Sequence, residues 1–348
     1  MTGTPFDASR VQFPGLPVHL LAFFRLENAK KTNTGIVSRT VAEYLAQFVP
    51  NASGQKPHPE TVVEICRRLV RNGWLSQVAV GGMMGTDNSY FCRADLDRIQ
   101  TSSVIRLLNC AVYGLPAVYD LYNSAVIPLI NWNSKSDAQI GTCFVVASDA
   151  IVTALHCVHP SEALAIRGVS PEIFSKASLY VHENEQLDLA VIKFPEPIFG
   201  EIPHISLPDE PANVLDEVMA LGYPNIPGFV PALAAEAAHV SGRLTVAKGK
   251  IASSPTEIFA KTELFLITAR VRGGFSGGPL LDSYGQAAGF ISREPTSDAS
   301  SDTIVKYDEL GYGVAVPVSA ISFLIQSISE GAATPVAFAN IKFRDFEE

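Results

Sequence analysis

Apolar positions recur at helical spacing through the first part of the chain and then give way to strand-like runs. The spacing predicts helices over residues 16–28 and 40–49. A third helix is predicted over residues 59–73, since proline suits a first helical turn and Asn-Gly suits a helix end. The apolar runs 74–80 and 90–93 flank a glycine-rich loop and predict a β-hairpin.

Three helices followed by a hairpin resemble a winged helix-turn-helix domain, here over about residues 14–100. The outward face of the third predicted helix carries Thr61, Arg67, Arg68 and Arg71. Arginine contacts phosphates and guanine edges in DNA complexes. Glu60 and Glu64, however, occupy the half of the helix that would enter a groove. The pattern leaves both nucleic acid and a regulatory protein partner open for these arginines, and it favours the protein.

Charge is unevenly divided along the chain. Residues 1–105 carry 11 basic and 8 acidic side chains, whereas the remainder carries 15 basic and 27 acidic ones. The small positive excess of residues 1–105 is low for DNA binding, which depends on neutralisation of phosphates. The acidic remainder of the chain is excluded as a nucleic-acid binder. The 47% hydrophobic and 18% charged composition is that of an ordinary globular protein.

From residue 124 onward the pattern changes to short apolar runs separated by turn residues. Runs at 126–132, 140–146 and 151–154 predict consecutive strands. The sequence therefore predicts a multi-domain chain: an α+β domain over residues 1–100, a helical connector over 101–123, an all-β domain over 124–330 and a C-terminal tail over 331–348.

Three residues in the second domain stand where side-chain chemistry is favoured. His156 follows the end of an apolar strand, Asp188 stands at the mouth of another, and Ser276 lies between glycines in a tight turn. Each alone has an ordinary structural interpretation, as a satisfied histidine, a turn aspartate or a turn serine. Together they supply a nucleophile, a base and a carboxylate that orients the base.

The local sequences around these residues resemble the trypsin-like (chymotrypsin-fold) serine peptidases. Gly-Thr-Cys-Phe with Thr-Ala-Leu-His-Cys, then Asp-Leu-Ala-Val, then Gly-Phe-Ser-Gly-Gly-Pro match the three family blocks in order, over about residues 124–328. The likeness is strongest to the bacterial HtrA/Deg branch. It implies two six-stranded antiparallel barrels with the site in the cleft between them, hence an α+β winged-helix-like domain followed by an all-β double barrel.

Family roles transfer residue by residue. The resemblance implies that Ser276 is the nucleophile, His156 the general base and then acid, and Asp188 the group that orients the imidazole. It implies that the backbone N–H groups of Gly274 and Ser276 form the oxyanion hole. Ser292, Gly313 and Arg270 are the expected substrate-binding residues, although Arg270 could equally face solvent. No metal or cofactor is expected, and the substrate is a protein or peptide.

Phe275 departs from the family pattern, which has Asp or Asn before the nucleophile. A phenyl ring cannot accept a new N-terminus, so activation by N-terminal insertion is not expected, and the loop must be held in another way. The Gly273-Gly274 pair would let the loop flip between two conformations.

We therefore expect limited regulatory cleavage of a partner protein, controlled by the N-terminal domain. The alternative is a DNA-binding regulator whose peptidase half cleaves itself or a co-regulator.

Five cysteines at irregular spacing, with no Cys-x-x-Cys pair, indicate neither a zinc site nor a redox motif. Cys143 and Cys157 are expected to be free thiols.

The apolar stretch 110–130 is long enough to cross a bilayer. It contains Asp120, whose charge would be costly in a bilayer, so we interpret the stretch as buried protein. No membrane association is expected, and the predicted location is cytoplasmic.

Overall fold

The computed structural model describes residues 4–32, 35–82, 84–92, 102–135, 137–224, 243–253, 256–259, 262–292, 312–338 and 341–346. The chain forms two compact units, Met1–Val118 and Tyr119–Glu348. Their boundary falls inside the stretch predicted as a helical connector. No helix in these described ranges is long and apolar enough to cross a membrane.

The first unit is an α+β domain, as predicted. Its sheet has the strand order β3-β5-β4, and β1 and β2 form a separate antiparallel pair. The elements are α1 (Pro5–Gln12), α2 (Leu16–Phe23), β1 (Lys30–Thr32), β2 (Gly35–Val37), β3 (Arg39–Thr40), α3 (Val41–Gln47), α4 (Pro59–Arg71), β4 (Leu75–Ala79), β5 (Ser89–Cys92) and α5 (Ser102–Tyr113).

Local signals explain the helices and the hairpin of this unit. Thr40 and Glu43 form a capping box at the start of α3, and α4 begins at Pro59 as predicted. The predicted hairpin appears as β4 and β5, although Arg93 lies outside the described residues. The first predicted helix is shorter than expected, because α2 ends at Phe23 and a separate 3-10 turn follows it.

The second unit contains two mostly antiparallel sheets, which fit the predicted double barrel. Its elements are α6 (Leu115–Tyr122, which begins before the boundary), β6 (Val126–Trp132), β7 (Ala138–Ala147), β8 (Ala150–Ala154), β9 (Ala163–Ile166), α7 (Pro171–Phe174), β10 (Ser178–Val181), β11 (Leu189–Lys193), β12 (Glu217–Gly222), β13 (Thr245–Lys250), β14 (Thr256–Phe259), β15 (Thr262–Ile267), β16 (Pro279–Asp282), β17 (Ala287–Ile291), β18 (Gly313–Pro317), α8 (Val318–Ser329) and β19 (Lys342–Phe343).

Each sheet has seven strands among the described residues, rather than the expected six. The orders are β10-β11-β8-β7-β6-β9-β19 and β13-β12-β16-β17-β18-β15-β14. In the first sheet the addition is β19, which pairs in parallel with β9 although both are only short segments. In the second sheet β14 lies at the edge beside β15.

Candidate active site

The register of three neighbouring strands positions His156 and Asp188. Strand β8 pairs with β7 on one side and β11 on the other, and Ala154 at the end of β8 faces Leu189 at the start of β11. His156 lies in the 3-10 turn that follows β8, and Asp188 directly precedes β11. Because the strands are antiparallel, both residues lie at the same end of the sheet.

The Asp188 carboxylate is bound by three donors. The backbone N–H of His156 donates to Oδ1 at 2.9 Å, and Oδ2 lies 2.5 Å from Nδ1 of the His156 ring. The hydroxyl of Ser292 also donates to Oδ2, at 3.2 Å. Asp188 itself has a left-handed backbone with φ of 53°, and its carbonyl accepts the N–H of Leu155 at 2.7 Å. The carboxylate and the imidazole are therefore held by backbone as well as by each other.

The electrostatics of this pair favour an ion pair. Burial opposes charge on the His156 ring, but its hydrogen bonds, led by the one to Asp188, outweigh burial and raise the pKa of His156. Burial likewise opposes charge on Asp188, yet the hydrogen bonds from His156 and Ser292 and the attraction to the imidazolium lower the pKa of that carboxyl. An imidazole with a raised pKa accepts a proton readily and keeps it while Asp188 stays ionised.

The serine turn is anchored to both sheets. The carbonyl of Ser276 accepts the N–H of Thr142 in β7 at 2.9 Å, and the N–H of Gly277 donates to the carbonyl of Ile291 in β17 at 2.7 Å. The sulfur of Cys157 lies 3.6 Å from Nε2 of His156 and 3.6 Å from the carbonyl oxygen of Ser276. Cys157 thus contacts both the His156 ring and the backbone of Ser276, while no hydrogen bond between the Ser276 hydroxyl and His156 is among the contacts described.

Phe275 explains how the loop is held without a polar residue before the serine. The side chain is only 3% exposed and belongs to the core cluster of the second sheet with Val218, Ile267 and Leu280. A Cβ at Gly222 would lie 2.8 Å from the Cα of Phe275, so the ring fills space that only glycine leaves there. The loop is anchored by an apolar side chain.

The expected substrate-binding residues lie in different environments. Ser292 follows β17 and contacts Asp188, as described above. Gly313 is buried at the start of β18 opposite Ile267, and a Cβ there would lie 2.8 Å from Cγ2 of Val271. The side chain of Arg270 is exposed. Cys143 and Cys157 are buried free thiols, as predicted.

Thr142 was given no role by sequence reasoning, although it stands in one of the quoted blocks. Its hydroxyl donates to the carbonyl of Gly274 at 2.6 Å and accepts the N–H of Tyr223 at 3.1 Å. The signal that could have found it is the threonine itself, a polar residue at a fully buried position of an apolar strand.

Comparison with known proteins finds one family model and two curated relatives that match this part of the chain. The family model of the trypsin-like peptidase domain matches residues 141–290. Serine protease Rv3671c of Mycobacterium tuberculosis is 27% identical over 177 residues, which cover 49% of this chain and 40% of that protein. The chain thus spans about two fifths of the length of the curated relatives it matches.

Solved structures show similar but distant relatives. The crystal structure of Rv3671c protease from M. tuberculosis in its active form has a TM-score of 0.45 and 21% identity, covering 64% of this chain and 87% of that one. The HtrA-type protease AlgW with a tripeptide has a TM-score of 0.45 and 20% identity, covering 62% and 64% of the two chains.

Residues 141–290 match the trypsin-like peptidase domain, and the curated relatives are serine proteases. More particularly, His156, Asp188 and Ser276 all lie within the range that this family model matches. The family resemblance inferred from the three sequence blocks is therefore confirmed.

We expect Gly277→Ala to destabilise the second unit, because Gly277 has φ of 83° and a Cβ would lie 2.1 Å from the carbonyl oxygen of Thr142. Left-handed strain and forced displacement together cost about 3 kcal/mol or more. Gly273→Ala is the matched control, since a Cβ there meets nothing within 4 Å. Denaturant unfolding of both variants checks this, and equal midpoints would contradict it.

Proposed function

We propose that this chain is a serine endopeptidase that hydrolyses peptide bonds through Ser276, His156 and Asp188. The observation that carries the proposal is the His156–Asp188 contact, at 2.5 Å, beside a serine in a tight glycine turn. The trypsin-like peptidase domain over residues 141–290 supports it. The substrate is a protein or peptide.

The proposed reaction begins when the Ser276 hydroxyl attacks the scissile carbonyl carbon and gives its proton to Nε2 of His156. The Asp188 carboxylate accepts a hydrogen bond from Nδ1–H of His156, which keeps the ring in the tautomer whose Nε2 has no proton. When Nε2 takes the serine proton, the same carboxylate stabilises the imidazolium. His156 returns the proton to the leaving amine as the C–N bond breaks, which leaves an acyl-enzyme. A water molecule then attacks the acyl carbon and gives a proton to His156. The ester bond to Ser276 breaks, His156 returns the proton to the Ser276 oxygen, and the acid product leaves.

The negative charge that develops on the carbonyl oxygen needs donors. The N–H groups of Gly274 and Ser276 are the proposed oxyanion hole, and each such donor contributes about 3 kcal/mol of transition-state stabilisation. Gly274 has φ of 96°, and a Cβ there would lie 2.3 Å from the carbonyl oxygen of Tyr223. Only glycine therefore fits at this position of the loop. Ser292, Gly313 and Arg270 remain the proposed substrate contacts.

Replacement of Ser276 by alanine tests the proposed activity. We expect wild type to react with a fluorophosphonate probe and to cleave a co-expressed neighbouring protein, and Ser276→Ala to lose both, with kcat lower by about 10⁶-fold. Ser329→Ala removes an exposed hydroxyl at the end of α8 and is the control. A wild-type chain that neither reacts nor cleaves would overturn the proposal.

The pH dependence tests the role of Asp188. His156 must be neutral to accept a proton, so a raised pKa puts the acid limb of kcat/KM above the ordinary value of 6.5. In Asp188→Asn the raising charge is gone and burial remains, so the limb moves to lower pH, while kcat falls by about 10⁴-fold.

The control for that experiment is Asp149→Asn. Asp149 pairs with Lys193 at 3.7 Å, away from His156 in the contacts described, and its removal leaves the profile unchanged. Measurement of kcat/KM on one peptide from about pH 5 to pH 11 locates the acid limb in each protein, because the pKa of His156 is raised to about 10. An acid limb that stays in place or rises in Asp188→Asn would contradict the assigned role.

The regulatory part of the proposal concerns the first unit, which we propose is winged-helix-like. A helix pair, α3 and α4, with the sheet order β3-β5-β4 supports that comparison. The structure bears on its arginines: Arg68 donates to Glu64 at 2.9 Å and to the carbonyl of Val112 at 2.8 Å, and its guanidinium lies 4.3 Å from the centre of the Phe6 ring. Arg68 is thus committed to contacts within the unit.

The remaining arginines favour a protein partner over DNA. Glu64 also lies 3.6 Å from Arg67, so one carboxylate neutralises part of the charge on this face. Thr61, expected on the outward face, is only 2% exposed. We propose that a protein partner docks near the exposed Arg67 and Arg71 and controls limited cleavage in an intracellular, cytoplasmic setting. The free thiols of Cys66, Cys143 and Cys157 support a reducing compartment.

Charge reversal at Arg71 separates docking from catalysis. We expect Arg71→Glu to reduce cleavage of a co-expressed protein substrate while the rate on a short peptide is unchanged, because the triad is untouched. The full chain should show only non-specific affinity for duplex DNA, with Kd of about 10⁻⁴–10⁻⁶ M at physiological salt. Tight, salt-dependent DNA binding lost in Arg67→Ala/Arg71→Ala would instead support the DNA-binding alternative.

A further inference from the structure

Thr142 in β7 binds the serine turn with its backbone and its side chain. Its N–H donates to the carbonyl of Ser276 at 2.9 Å, and its hydroxyl donates to the carbonyl of Gly274 at 2.6 Å. The same hydroxyl accepts the N–H of Tyr223 at 3.1 Å. One residue of the first sheet thus holds the carbonyls on both sides of Phe275.

The hydroxyl satisfies two buried backbone groups at once. Thr142 is 0% exposed, and Gly274 and Tyr223 are buried as well. A hydroxyl can donate one hydrogen bond and accept another, which suits a carbonyl on one side and an N–H on the other. A valine of the same shape could do neither, and both backbone groups would lose this partner in a place with little access to water.

The anchored carbonyl lies one peptide away from the proposed oxyanion donor. The N–H of Gly274 belongs to the peptide 273–274, and its direction depends on the dihedral angles on either side of it. Gly273 offers no steric restraint, since a Cβ there would meet nothing within 4 Å. The restraint therefore comes from the other side, where Thr142 fixes the carbonyl of Gly274 and the buried Phe275 fixes the next residue.

We propose that Thr142 is a positioning residue for the oxyanion hole, an inference that rests on the proposed peptidase function. Its hydroxyl holds the Gly274 peptide so that the N–H of Gly274 faces the reacting carbonyl oxygen before substrate binds. The hydrogen bond from Thr142 to the Gly274 carbonyl fixes the orientation of the loop. Phe275 contributes to holding the loop through apolar packing alone.

Two substitutions at Thr142 separate positioning from packing. Thr142→Val keeps the branched shape and removes both hydrogen bonds made by the hydroxyl. Thr142→Ser keeps the hydroxyl and removes the methyl group, which packs near Gly278: a Cβ at Gly278 would lie 3.2 Å from it. If the hydroxyl positions the loop, Thr142→Val lowers kcat by roughly 10–100-fold with KM nearly unchanged. Thr142→Ser then stays within about threefold of wild type.

The matched control is Thr268→Val. The Thr268 hydroxyl also accepts a backbone N–H, from Lys250 at 2.8 Å, but it lies in the stretch after β15 with no described contact to the serine turn. This variant should keep the wild-type kcat. A second readout needs no substrate: amide hydrogen exchange of a peptide covering residues 272–278 should quicken in Thr142→Val and stay as in wild type in the other two variants.

The outcomes are separable. Equal kcat and equal exchange in Thr142→Val and wild type would overturn the positioning role, as would a larger loss in Thr142→Ser than in Thr142→Val, which would assign the residue to packing. If wild type neither reacts with a fluorophosphonate nor cleaves peptide, the proposed function fails. The exchange measurement would then still decide whether the Thr142 hydroxyl holds the loop.

Discussion

The pairing of β8 between β7 and β11 is the constraint on which the site depends. It brings the ends of two strands together, and a slip of one residue would turn every side chain of β8 to the other face. The carboxylate of Asp188 then bonds to the backbone N–H of His156 as well as to its ring. The bonds that close the strand ends are the same bonds that orient the imidazole, so local folding and the geometry of the pair cannot be separated.

The serine turn is held by a different kind of contact. It lies between the sheets, with Phe275 buried in the second and with the carbonyls of Gly274 and Ser276 bonded to Thr142 in the first. An apolar anchor and a buried threonine replace the single polar residue that the family pattern would lead one to expect. Such an anchor has no charge to gain or lose, so it does not depend on a newly formed N-terminus.

Much of this arrangement could be predicted from the sequence, because the signals were local. Glycines around Ser276, a strand end before His156 and a strand start after Asp188 are visible as patterns of a few residues. The role of Thr142 was not visible, since its partners lie about 80 and about 130 residues away and hydrogen-bond partners at such separations leave no period in the sequence. The burial of Thr61 and the engagement of Arg68 escaped prediction for the same reason: both depend on which segments cover α4.

The parallel pairing of β19 with β9 ties together segments that are far apart in the chain. Lys342 pairs with Ala163, so about 180 residues must be made before the outer edge of the first sheet acquires this neighbour. During synthesis the histidine and the aspartate emerge first, the serine later, and the strand that covers the edge of β9 last. A partly made chain thus already holds Ser276 while that edge still lacks the strand that will cover it.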